Sequence, residues 1–84
     1  MDDFEVAINT YRYLVLDEDP YEIIEDNRVS AFYIDVLDEY AYYEQEIAAK
    51  VLASQLCISV FEEYEHYEKC ADLLNYQKEL YNGI

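Results

Sequence analysis

The sequence predicts an all-α fold: a small bundle of four or five helices with a central apolar helix near residues 47–61, forming one domain over residues 1–84. Three observations carry that prediction. The chain holds one proline and one glycine, too few turn-formers to fold a sheet back on itself. Apolar residues recur every three or four positions through most of its length, the period of one helix face. And 54% of the residues are hydrophobic, enough to fill one small core despite a formal charge of −15.

The elements follow in order. Phe4, Ala7, Ile8, Tyr11, Leu14 and Val15 share a helical face, so residues 3–16 read as a first amphipathic helix, capped by Asp2 or Asp3. Asp19 is a suitable N-cap with Pro20 at the first helical position, which predicts a short helix to about Asp26. Asn27 and Arg28 then connect to a third helix capped by Ser30 and running to about Tyr40. Its inward face would be Phe32 or Tyr33, Val36, Leu37 and Tyr40. The segment Ile47 to Phe61 contains no acidic residue and a single lysine, Lys50, the pattern of a helix buried on most sides. Glu62 to His66 reads as a helix end or turn. Tyr67 to Tyr81 is again helical, with Cys70, Leu73, Leu74, Gln77 and Leu80 on one side and Gly83 as its stop.

Charge is the second theme. Twenty residues are Asp or Glu and five are Lys or Arg. The acids gather in three clusters: Asp17, Glu18, Asp19, Glu22, Glu25 and Asp26; then Asp35, Asp38, Glu39, Glu44 and Glu46; then Glu62, Glu63, Glu65 and Glu68. An ordinary helix surface interleaves signs, because opposite charges three or four apart help by a few tenths of a kcal/mol. Here like charges occupy those spacings, and the repulsion works against folding. Carboxylates so spaced lie roughly 5–6 Å apart on a helix. Such rows approximate the charge lattice of a nucleic-acid backbone, whose phosphates advance about 3.4 Å along the axis per step. Eleven tyrosines accompany them, among them Tyr42 and Tyr43 in the second cluster and Tyr64 and Tyr67 in the third. Tyrosine brings contact area and a hydroxyl with little rotamer entropy, as interfaces favour.

Other chemistries find few parts. With one histidine and no glycine-rich loop, no nucleophilic or phosphate-cradling constellation forms, so the chain reads as no enzyme and as needing no cofactor. Glu63-x-x-His66 has the spacing of di-iron bundle ligands, but it lies within a run of polar residues that reads as an exposed helix end. Asp17-Glu18-Asp19 lacks the glycine and alternation of a calcium loop. Cys57 and Cys70 read as reduced core thiols. The acidity argues against direct nucleic-acid or anionic-membrane binding. No run of about 18 apolar residues predicts a membrane span, and Met1-Asp2-Asp3 lacks the basic region of a secretory signal, so a cytoplasmic location is expected. A homodimer would enlarge the small core that a chain of this length supports.

A short helical chain with this acidity, so many tyrosines and no catalytic apparatus resembles the phage-encoded DNA-mimic inhibitors, the anti-restriction and anti-CRISPR proteins. The resemblance is one of overall character and transfers no residue role. It implies competition with DNA for the basic groove of a host defence protein, in the host bacterial cytoplasm. The residues that the clusters nominate for contact are Asp35, Asp38, Glu39, Tyr42, Tyr43, Glu44 and Glu46, then Glu62, Glu63 and Glu65, with Asp17, Glu18, Asp19, Glu22, Glu25 and Asp26. Two alternatives share the charge or the architecture. An immunity protein or antitoxin would neutralise one basic toxin nuclease. A small helical adaptor or chaperone would instead show an exposed apolar groove.

Overall fold

The computed structural model describes residues 2–27, 29–36 and 47–83. Four helices appear among them: α1 (Asp3–Leu14), α2 (Pro20–Asp26), α3 (Ile47–Glu63) and α4 (Tyr67–Asn82). The Cα radius of gyration is 12.2 Å, close to the roughly 12 Å of a compact chain of this length. Among the described residues no helix is long and apolar enough to cross a membrane.

The first two helices start where local chemistry starts them. The Asp2 carboxylate accepts from the Phe4 N–H at 3.0 Å, and that of Asp19 from the Tyr21 N–H at 2.8 Å. Each satisfies a donor that the helix cannot. Pro20 then opens α2 without losing a hydrogen bond. α1 stops at Leu14, two residues before the predicted end, and the chain turns through Asp17 in the left-handed region at φ 56°.

α3 packs against α1 on one flank and α4 on the other. Phe61 is fully buried where the three meet, edge-on to Phe4 at 5.9 Å and to Tyr11 at 6.0 Å. Ala7, Cys57, Ile58, Cys70 and Leu73 surround it. A second cluster joins Leu14, Ile34, Val36 and Ala53. The α3–α4 contact carries buried polar links: Gln77 Nε2 donates to Ser54 Oγ, which donates to the Val51 carbonyl, both at 2.7 Å, and the Cys70 thiol donates to the Ile58 carbonyl at 3.7 Å. α3 is not enclosed as its composition predicts. Leu52 is 63% exposed and Leu56 41%, because only the Ala53–Ser54–Cys57–Ile58–Phe61 side meets its neighbours. On α4 the predicted inward set loses Leu74, which is 49% exposed.

The third predicted helix is corrected over 30–36. Residues 29–36 contain no helix and run as a strap across α1; Leu37 and Tyr40 lie outside the described residues. Side chains of α1 hold the strap's backbone. Asn9 Nδ2 donates to the carbonyls of Val29 (2.6 Å) and Ala31 (3.2 Å), and Thr10 Oγ accepts from the Tyr33 N–H at 2.9 Å while donating to the Val6 carbonyl. Asn27 Nδ2 anchors the entry, donating to Asn9 Oδ1 and to Glu5 Oε2, each at 2.8 Å. A helix over 30–36 would have to give up these bonds. The strap alternates instead, with Ile34 and Val36 buried and Asp35 between them exposed.

Cys57 and Cys70 are free and buried, as expected of core thiols. Burial pushes the Cys57 thiol up to about 12. The Tyr76 phenol is likewise pushed to about 12, chiefly by burial. So is that of Tyr11, by burial and then by the 2.7 Å bond it donates to Asp72. All three are raised above their unfolded values, so the stability they supply is complete below about pH 9 and is lost as pH climbs toward 12. Thermal melts across that window should therefore fall steeply, with tyrosinate absorbance appearing together with unfolding. Full ionisation of every tyrosine near pH 10 in a still-folded chain would contradict this.

Candidate partner-binding surface

The acidic residues of the first cluster divide by role. The turn after α1 brings Glu18 back over the last helical turn, where its N–H donates to the Arg12 carbonyl at 3.1 Å. The Arg12 guanidinium then grips the Glu18 carboxylate with two bonds, of 2.9 and 2.7 Å, and reaches Asp26 at 2.8 Å. This fork holds the Glu18 carboxyl below its ordinary range and raises the guanidinium further. Glu18 and Asp26 are thus tied to Arg12, and Asp19 serves as the cap of α2. Asp17, Glu22 and Glu25 are exposed and face outward. Between this cluster and α4 lies an open groove of about 590 Å³, lined by Tyr13, Leu14, Pro20, Tyr76 and Leu80 together with Lys50, Asp17, Glu18 and Asp19. Sequence reading missed the groove, because all four helices and the turn after α1 contribute to it and none of them signals it alone.

The third cluster crowns the C-terminal end of α3. The Glu65 N–H donates to the Glu62 carbonyl at 3.1 Å and the His66 N–H to that of Phe61 at 2.8 Å. These two bonds close a Schellman motif. Its left-handed position is Glu65, at φ 61°, where glycine is usual. Glu62, Glu63 and Glu65 are all exposed, with Tyr64 52% and Tyr67 63% exposed beside them. The base under them is aromatic: the Phe4 ring packs at 4.8 Å on Tyr64 and 5.1 Å on His66. That places His66 against aromatic rings, and among the described residues no group of three or more His, Cys, Asp or Glu is arranged to hold a metal.

Of the second cluster, Asp35 is exposed on the strap. Asp38, Glu39, Tyr42, Tyr43, Glu44 and Glu46 lie outside the described residues. α1 sets the spacing of the other two clusters. Phe4 supports the third and Arg12 holds the first, eight residues or about 12 Å apart along the helix axis. The structure therefore gathers the first cluster around Arg12 and the third around the end of α3, at opposite ends of α1.

Several of these carboxylates sit where they oppose the fold. At the end of α2 Arg12 reaches across to pair with Asp26, whereas Glu62 and Glu63 end α3 with no basic residue in its last turn. A negative charge there meets the negative end of the helix dipole. The two non-glycine residues at positive φ among the described residues, Asp17 and Glu65, are both acidic. Comparisons with protein-family models, with curated proteins and with solved structures find no match to this chain.

Proposed function

We propose that this chain is a non-enzymatic inhibitor that imitates the charge of DNA and blocks the basic DNA-binding surface of a host defence protein, a CRISPR-Cas effector or a restriction enzyme, in the bacterial cytoplasm. The observation that carries this reading is the placement of carboxylates where they work against stability, at the C-terminus of α3 and at left-handed positions, in a chain already at −15. Charge held against the fold's own interest is accounted for by binding.

The mechanism is competitive. The carboxylates at either end of α1 steer a basic groove to the surface and pair with its Lys and Arg side chains. Tyr64 and Tyr67 supply apolar area beside the third cluster. At the first cluster, the groove beside Asp17 and Asp19 offers Tyr13, Leu14 and Tyr76 to the aliphatic stem of an inserted arginine or lysine.

The test is capture of partners from a bacterial lysate by the immobilised protein, washed at low and then moderate salt. The expected result is a DNA-binding enzyme or CRISPR effector, released both by duplex DNA and by salt. Recovery of a small basic toxin indifferent to DNA would make the chain an immunity protein or antitoxin instead.

A further inference from the structure

The end of α4 sets an asparagine directly before a glycine. Of the four asparagines in the chain, Asn82 alone has this neighbour, Gly83. Asn9, Asn27 and Asn75 precede Thr10, Arg28 and Tyr76, and a side chain on the following residue crowds its backbone nitrogen. Asn82 and Gly83 are both exposed. Asn9, by contrast, is fully buried with its amide on the Val29 and Ala31 carbonyls, and the Asn27 amide donates to Asn9 and Glu5. Asn75 lies inside α4, where the helix holds the backbone. The Gly83 N–H donates to the Glu79 carbonyl at 3.0 Å, the bond that closes the helix.

We infer that Asn82 is a site of self-modification, where the side-chain amide becomes a carboxylate without an enzyme. The Gly83 backbone nitrogen gives its proton to hydroxide and attacks the carbonyl carbon of the Asn82 side chain. The new C–N bond closes a succinimide ring as the bond to the amide nitrogen breaks, and that nitrogen leaves as ammonia. Water then adds to either ring carbonyl and opens it, leaving aspartate or isoaspartate at position 82. The balance is one water taken up and one ammonia released. The end of α4 sets the pace. In the helix the Gly83 N–H is committed to Glu79, so ring closure waits for the last turn to fray, which a helix end does at little cost. A Cβ at position 83 would lie 3.3 Å from the Glu79 oxygen, so the glycine that suits this close approach also leaves its nitrogen unshielded. The product loosens the same turn. An aspartate puts a further charge at the negative end of the α4 dipole, near Glu79, and an isoaspartate inserts a methylene into the backbone.

The inference is independent of the inhibitor reading, and it is tested on the full chain with no partner present. Held warm in mildly alkaline buffer, the protein should release ammonia and accumulate a species whose charge has moved from −15 to −16. Peptide mapping by mass spectrometry should place the change at position 82, as a mixture of aspartate and isoaspartate, ahead of any change at Asn9, Asn27 or Asn75. The rate should rise with pH as the backbone nitrogen gives up its proton. In guanidinium chloride the conversion should run about two- to tenfold faster, the difference being the protection that the last turn of α4 provides. Asn82→Gln forces a larger ring and should remove the product while the fold is kept. An Asn82 still intact in the folded protein after the denatured chain has converted, a conversion that reaches Asn75 first, a denatured chain that reacts no faster than the folded one, or an Asn82→Gln variant that converts as readily would each overturn the inference.

Discussion

A chain carrying Glu62→Lys, Glu63→Lys and Glu65→Lys together is expected to lose its partner and gain stability at once. Binding falls because three carboxylates facing a basic groove become three repelling ammonium groups. At about 1 kcal/mol or more for each interfacial charge pair, the loss is at least about a hundredfold in affinity. Stability moves the other way. At positions 62 and 63 the reversal turns an unfavourable meeting with the α3 dipole into a favourable one, worth about 0.3–1 kcal/mol each at an exposed helix end. The net charge drops from −15 to −9, which relieves repulsion elsewhere as well. In a domain this small each kcal/mol raises Tm by roughly 4–8 °C. Thermal melts and affinity for the captured target check both halves. A variant that melts lower would show that these carboxylates hold the fold, and one that binds unchanged would move the interface away from the end of α3.

Asn9→Ala is expected to be the most damaging polar substitution, costing about 3–4 kcal/mol. Asn9 is fully buried, and its amide donates to the carbonyls of Val29 and Ala31 while its oxygen accepts from Asn27. Truncation orphans all three partners, each at about 1–3 kcal/mol where water cannot reach and less where it can. A domain of this length has roughly 4–13 kcal/mol of stability in total. Urea denaturation gives the loss, and amide exchange localises it, with protection disappearing first over residues 29–36. A loss under about 1 kcal/mol would mean that burial of Ile34 and Val36 holds the strap without Asn9.

That same strap marks where the sequence stops being legible. α1, α2 and the start of α4 are readable because the signals are local: an aspartate before each of the first two helices, Pro20 at the start of the second, and apolar residues at helical spacing. Residues 29–36 offered a serine cap and scattered apolar positions, which is also helix-like. Their β-branched and aromatic content, Val29, Phe32, Tyr33, Ile34 and Val36, favours extended backbone. The deciding partners, Asn9 and Thr10, lie some twenty residues upstream and announce themselves only in three dimensions. The site shows the same division. Charge clustering located Glu62, Glu63 and Glu65 on an exposed end. It did not reveal that Arg12 takes Glu18 and Asp26, nor that Glu65 occupies a left-handed position, since no glycine marked that turn.

An extended segment rich in valine, isoleucine and aromatics is ordinarily a hazard, because its free backbone edge templates the addition of further strands. In this protein Asn9 and Thr10 occupy carbonyls of Val29 and Ala31 and the N–H of Tyr33, so an incoming strand finds part of that edge already taken. Asp35 sits exposed between the buried Ile34 and Val36, a charge in the position of a gatekeeper. The asparagine that shapes the fold therefore also covers part of the backbone edge of a β-prone segment that an added strand would need.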